Sequence, residues 1–223
     1  MEAKIKKIFQ LLFCVCFTTI LYSNENRIVT LGGSVTEIVF ALGFGEQVIA
    51  VDQSSTIPES VSELPQVGYI RSISSEGILS VMPNLILSSS DLGPPNILSQ
   101  LKKVNIPTKV FESPASYEDV ITLIGEISES LGAKNKGDEI IEKLNNDLKN
   151  IKQIILQTKE PPRITFFMDA SNSGSFNAAG NGTRANYLIE LIGAKNIYKN
   201  EFNRYNKISS ESLLKANPDV ILI

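Results

Sequence analysis

The feature that most constrains the fold is a segment that occurs twice. Residues 73–87 read ISSEGILSVMPNLIL and residues 208–222 read ISSESLLKANPDVIL, with each residue 135 positions from its counterpart. Each copy has a serine cap, a helical pattern, a proline and an aliphatic run, which predicts a short helix leading into a buried strand. The shared register favours an internal duplication that gives two similar lobes. The alternative is a chance likeness between two ordinary capped helices.

The rest of the chain alternates strand and helix patterns. Strands are predicted over residues 27–31, 48–51, 85–87, 109–111 and 163–168, and helices over about 33–42, 75–81 and 96–104. This alternation indicates parallel βα units. Helical spacing over 117–131 and 137–157 predicts a rigid strut between two lobes, or alternatively a surface helix packed on one domain.

The expected fold is therefore α/β, with two Rossmann-like lobes joined by a long rigid helix. The predicted N-terminal lobe spans 27–115, the linking helices 116–160, and the C-terminal lobe 163–223. The first lobe continues after its copy of the repeat, whereas the second stops on an apolar strand at Ile223. Such a strand would leave an unprotected sheet edge, so the second lobe is expected to be truncated at its C-terminus.

The N-terminus has the pattern of a secretory signal peptide over residues 1–23. Three lysines precede an apolar run from Ile8 to Leu21, and a polar stretch follows. The run is short for a membrane span, although an uncleaved anchor is the alternative. Cys14 weakly suggests a lipoprotein signal, but the bulky Phe13 before it argues against lipidation. We therefore expect an exported, periplasmic protein.

Composition excludes several function classes. Both cysteines, Cys14 and Cys16, lie in the predicted signal peptide, and the chain has no histidine. Cysteine metal sites, disulfides and histidine general bases are therefore not expected after export. The net charge is −3 and no long basic run occurs, so nucleic acid is not an expected partner. The sequence also argues against an exported hydrolase, because no Gly-x-Ser-x-Gly motif is present and no histidine could activate a serine.

Several stretches resemble the periplasmic haem-binding proteins of bacterial ABC importers. These proteins belong to a class of solute receptors with a helical backbone that includes cobalamin and ferric-siderophore receptors. The resemblance runs from Arg27 to Ile223, and its most specific stretches are residues 31–38, 64–71, 74–77, 91–95 and 178–183. It implies a binding protein without enzymatic activity that delivers haem to a membrane permease. A cobalamin or siderophore receptor is the nearest alternative.

The resemblance implies that Tyr69 binds the haem iron. A phenolate is a hard anionic donor that suits ferric iron. Arg71 could stabilise the ionised phenol or pair with a haem propionate. From the residues alone, a loop tyrosine packed on its lobe is the alternative. Some relatives add a histidine ligand, which this chain lacks, so five-coordinate iron or a second oxygen donor is expected. Tyr205 and Tyr187 are candidates for that donor by residue type only, and core packing is the favoured role of Tyr187.

Other residues are candidates for the propionates and for the permease. The Gly32-Gly33-Ser34 turn at a helix start could present backbone amides to an anion, although a glycine turn there needs no ligand. Arg184 and Arg204 could neutralise propionates or could be solvated. Glu76 and Glu211 occupy equivalent places in the repeat, and the resemblance implies that they dock onto arginines of a permease dimer. Stabilising a helix N-terminus is their alternative role.

Overall fold

The computed structural model describes residues 26–170 and 175–223. The predicted signal peptide lies outside the described residues. The chain forms two compact units, of which the first ends at Ser113 and the second runs from Pro114 to Ile223. Within the described residues, no helix combines the length and the apolar character needed to cross a membrane.

The first unit contains a parallel sheet of four strands in the order β2-β1-β3-β4. Its strands are β1 Ile28–Leu31, β2 Val48–Val51, β3 Leu85–Ser89 and β4 Thr108–Phe111, and its helices are α1 Gly33–Ala41, α2 Ser75–Ser80 and α3 Ile97–Lys103. The predicted strands and helices of this lobe are confirmed to within a few residues. All four residues of β1 are buried, as expected for a central strand covered on both faces.

The second unit combines helices with a mixed sheet. Its strands are β5 Arg163–Ala170, β6 Ser175–Ala179, β7 Lys195–Asn196, β8 Tyr205–Ser209 and β9 Val220–Leu222. β7 and β9 pair with β5 in parallel, whereas β6 pairs antiparallel with β5 and β8. The strand–helix alternation does not predict this antiparallel part, because the short, mixed-polarity β6 is stabilised by its neighbours more than by its own propensity.

Four helices complete the second unit: α4 Tyr117–Ser130, α5 Lys134–Leu156, α6 Arg184–Leu191 and α7 Ser210–Ala216. α4 and α5 approach so closely that a Cβ on Gly137 would overlap the Ser128 side chain. Ser116 and Asp119 form a capping box at the start of α4. Hydrogen bonds from the Ala115 N–H and from Ser116 lower the pKa of Asp119. The interpretation of 116–160 as a strut between the lobes stays a prediction.

The duplicated segment adopts the same local structure in both units. Ser74 Oγ accepts the Gly77 N–H at 3.0 Å in α2, and Ser209 Oγ accepts the Ser212 N–H at 3.2 Å in α7. Just past these helices, Met82 (φ 49°) and its counterpart Asn217 (φ 45°) both adopt the left-handed conformation.

In each unit an arginine donates hydrogen bonds to the repeated segment. The Arg27 backbone N–H donates to Asn84 Oδ1 at 2.7 Å, and its guanidinium donates to two carbonyls at the end of α2. In the second unit, the Arg163 N–H donates to Asp219 Oδ2 at 2.7 Å and its guanidinium donates to the Ala216 carbonyl. β3 and β9 then pair with β1 and β5 in equivalent parallel registers. These matched contacts extend the sequence repeat to three dimensions and support internal duplication.

Candidate functional site

Tyr69 lies on a loop whose backbone is fixed although its ring is exposed. The chain before it runs along β2, with reciprocal backbone hydrogen bonds between Val51 and residues 65 and 67. Gly68 has a φ of +119°, which favours glycine, and its carbonyl accepts the Gln53 N–H at 2.9 Å. Ile70 is buried in the core of the first unit, whereas Tyr69 is 46% exposed. The loop therefore presents a phenol to solvent from a rigid support.

Arg71, two residues after Tyr69 in the chain, forms an ion pair. Its Nη2 donates to Asp91 Oδ1 at 3.0 Å, and Ser113 Oγ donates to Asp91 Oδ2 at 2.7 Å. The side chains of Arg71 and Asp91 are 65% and 42% exposed. Its hydrogen bond to Asp91 leaves further N–H groups of the guanidinium for a ligand. Asp91 lies in a stretch that the resemblance had marked, but this ion pair was not predicted.

The Gly32-Gly33-Ser34 turn forms the start of α1, as the sequence predicts. Gly32 has a φ of +102°, and a Cβ on it would lie 2.7 Å from Ser89 Oγ. Its side chain cannot cap the helix, so the first-turn amides of Gly33 and Ser34 receive no cap from this position. The Gly32 N–H itself is engaged, because it donates to Asp52 Oδ1 at 2.7 Å.

Asp52 is a fully buried carboxylate that the sequence analysis missed. Its two oxygens accept hydrogen bonds from Gly32, from the N–H and hydroxyl of Ser54, and from the Ser55 hydroxyl, at 2.5–2.8 Å. Ser55 continues the network to Thr36 in α1 at 2.7 Å. The signal available in the sequence was the position of Asp52, a polar residue directly after the buried strand β2. Asp52 thus fixes the turn that starts α1, since every one of these donors lies in or beside it.

The candidate residues of the second unit lie around α6 and β8. Arg184 is the first residue of α6, which Thr183 caps by accepting the Asn186 N–H at 3.0 Å. Arg184 and Tyr205 contribute to an otherwise apolar groove of about 450 Å³. Arg204 is exposed and adopts a φ of +64°. This surface can accommodate an apolar group that carries an anion.

Tyr187 has partners within the second unit. Its hydroxyl accepts the Tyr117 N–H at 2.8 Å and donates to Glu118 Oε2 at 3.1 Å. These bonds join α6 to the start of α4. The packing role that the sequence analysis favoured for Tyr187 is consistent with this geometry.

Glu76 and Glu211 each lie in the first turn of a helix, α2 and α7 respectively. Both side chains are exposed. Their positions in the two matched repeats are equivalent, as the sequence predicts. The geometry suits both the stabilisation of a helix N-terminus and recognition by a cationic partner.

Residues 26–170 and 175–223 contain no cluster of three or more His, Cys, Asp or Glu side chains that could hold a metal ion.

Two curated proteins match most of this chain. The ABC transporter substrate-binding lipoprotein YvrC of Bacillus subtilis is 29% identical over 201 residues, which cover 89% of this chain and 63% of YvrC. The vitamin B12-binding protein of Vibrio parahaemolyticus is 24% identical over 207 residues, which cover 92% of this chain and 74% of that protein. The chain therefore spans less than two thirds of the length of YvrC.

The solved structures that share the fold include two periplasmic heme-binding proteins. The apo form of the periplasmic heme-binding protein RhuT from Roseiflexus sp. RS-1 is 30% identical, with a TM-score of 0.75. The periplasmic heme-binding protein HutB of Vibrio cholerae is 29% identical, also with a TM-score of 0.75. Each alignment covers 89% of this chain and 76% of the other. Because the model of the periplasmic binding protein family also matches residues 28–223, the chain belongs to that family and has its two-lobed solute-binding fold.

Proposed function

We propose that this protein is the substrate-binding component of an ABC importer, and that it captures haem and delivers it to a membrane permease. The observation that carries the proposal is the exposed Tyr69 on a braced loop, with the Arg71 guanidinium two residues away. The 29–30% identity to heme-binding proteins of known structure supports it.

The proposed mechanism is binding and release without bond chemistry in the ligand. Tyr69 would hold the ferric iron through its phenol oxygen, and Arg71 would pair with an anionic group of the ligand. The first-turn amides of Gly33 and Ser34 and the guanidinium of Arg184 are further proposed partners of the propionates. Gly32 serves the turn itself in this proposal, since Asp52 holds its amide.

A second candidate ligand is cobalamin, with ferric siderophores in the same class. The 24% identity to a vitamin B12-binding protein favours this alternative. Neither ligand requires the Tyr69 phenol as a metal ligand. A catalytic function is not proposed, because no histidine is available to activate a nucleophile.

The ligand is tested by titrating the purified protein with haemin, cyanocobalamin and a ferric siderophore. Binding is followed by absorbance difference spectra. We expect saturable binding of haemin alone, with the charge-transfer bands of a high-spin ferric phenolate. Saturable binding of cyanocobalamin or the siderophore without haemin binding by a folded protein would refute the haem proposal and leave the receptor class intact.

The proposed location is the periplasm, where the protein would dock onto a two-fold permease.

Glu76→Arg and Glu211→Arg are expected to keep haemin binding but to reduce stimulation of the transporter ATPase by about tenfold or more, because each places like charges at an interface. The measurement is ATPase activity of the reconstituted transporter. Glu139→Arg, an exposed change in α5, is the matched control. Unchanged stimulation in both docking variants would disprove this role.

A further inference from the structure

We infer that Asp91 is a positioning residue of the proposed ligand site: it holds the Arg71 guanidinium in place, two residues along the chain from Tyr69, and so preorganises it for an anionic group of the ligand. This inference rests on the proposed function and adds a specific residue to it. Asp91 touches neither the proposed iron ligand nor the propionates in this scheme, and acts through Arg71.

The carboxylate of Asp91 is held by hydrogen bonds to both of its oxygens. Oδ2 accepts the Ser113 hydroxyl at 2.7 Å, while Oδ1 accepts Arg71 Nη2 at 3.0 Å. Ser113 is itself held, because its N–H donates to Ser90 Oγ at 3.1 Å, and the Ser90 N–H donates to the Phe111 carbonyl at 2.7 Å. The carboxylate is therefore anchored to the ends of β3 and β4, and the guanidinium is held against that anchor.

Backbone contacts hold the two loops together around this pair. The Gly93 N–H donates to the Ile70 carbonyl at 3.0 Å, and the Ile73 N–H donates to the Gly93 carbonyl at 3.2 Å. A Cβ on Gly93 would lie 2.8 Å from the Arg71 carbonyl oxygen, so this approach requires glycine. Asp91 and Arg71 thus lie on segments whose relative position is fixed without the ion pair.

The stability of the ion pair does not explain this arrangement. Both side chains are substantially exposed, and pairs of this kind contribute little to stability. Arginine otherwise has many rotamers, and a fixed guanidinium loses less conformational entropy when a ligand binds. The ion pair is therefore better understood as preorganisation of Arg71.

The sign of one substitution separates positioning from simple electrostatics. Asp91→Asn removes a negative charge beside the Arg71 guanidinium, and charge alone would then strengthen the binding of an anion there. Loss of the charge-assisted hydrogen bond releases Arg71 and weakens anion binding instead. We expect weakening, with haemin affinity lower by about fivefold, the effect of one exposed ion-pair interaction.

The experiment compares wild type, Arg71→Ala, Asp91→Asn and the double variant by haemin titration and by the absorption spectrum of the complex. Both single variants should lower haemin affinity, and the double variant should resemble Arg71→Ala, because the two residues act as a unit. Asp138→Asn, which breaks an exposed ion pair with Lys134 in α5, is the matched control and should change neither readout. Tighter haemin binding by Asp91→Asn, or strictly additive effects, would overturn the inference.

A measurement on ligand-free protein keeps this test separate from the test of the proposed function. Restricted rotation of the Arg71 guanidinium, seen by NMR as slow exchange of its Nη groups, should be lost in Asp91→Asn and kept in Asp138→Asn. A guanidinium that is equally mobile in wild type and Asp91→Asn contradicts positioning whether or not haemin binds. If the folded wild-type protein does not bind haemin, the proposed function is refuted, whereas the positioning of Arg71 by Asp91 is still decided by the NMR measurement.

Discussion

Tyr69→Phe is expected to lower haemin affinity by about a hundredfold and to remove the phenolate charge-transfer band. Loss of a residue that only supports a metal ligand typically costs about 10–100-fold in affinity, and this change removes the ligand itself. The ring stays, so packing against the loop is retained. The measurement is a haemin titration followed by absorbance, together with circular dichroism to show that the variant is folded.

Two controls make the Tyr69 result specific. Tyr117→Phe removes a phenol of the second unit that donates to Asn145 at 3.1 Å, and it should leave haemin binding unchanged. Tyr205→Phe tests a second oxygen donor, and an altered band there would indicate six-coordinate iron. If Tyr69→Phe binds haemin with wild-type affinity and spectrum, the iron ligand has been assigned to the wrong residue.

Asp52→Ala is expected to destabilise the first unit by about 3 kcal/mol, because each buried donor left without an acceptor costs about 1–3 kcal/mol. The Gly32 N–H is one of these donors, and its partner lies in the core. For a unit of this size, the expected fall in Tm is roughly 10 °C or more. Thermal unfolding followed by circular dichroism measures the change.

Asp52→Asn and Asp138→Ala are the comparisons for this prediction. Asn keeps one acceptor oxygen but places an NH₂ group against existing donors, so an intermediate loss of stability is expected. Asp138 forms an exposed pair with Lys134, and its loss should cost about 0.5 kcal/mol or less. An Asp52→Ala variant as stable as Asp138→Ala would mean that the network around Gly32 is not important for stability.

The sequence predicted the elements that depend on local rules. The strand β2 appears in the sequence as an aliphatic run, and serines precede the short helices α2 and α7, whose observed caps are Ser74 and Ser209. The repeat predicted two similar units because it carries these signals twice in one register. The tyrosine of the site was identified through the resemblance rather than through its chemistry, since a loop tyrosine after glycine is ordinary.

The tertiary structure decided the features that depend on residues distant in the chain. Asp91 meets Arg71 across 20 positions and Asp52 meets Gly32 across 20, and neither pairing has a local pattern. The antiparallel pairing of β6 with β5 and β8 is of the same kind. By itself the sequence determined where the strands and helices of the first unit form and indicated that two related units exist, because burial and capping are properties of short segments. Only the fold decided which side chains share a site, because long-range hydrogen bonds form between segments that packing brings together.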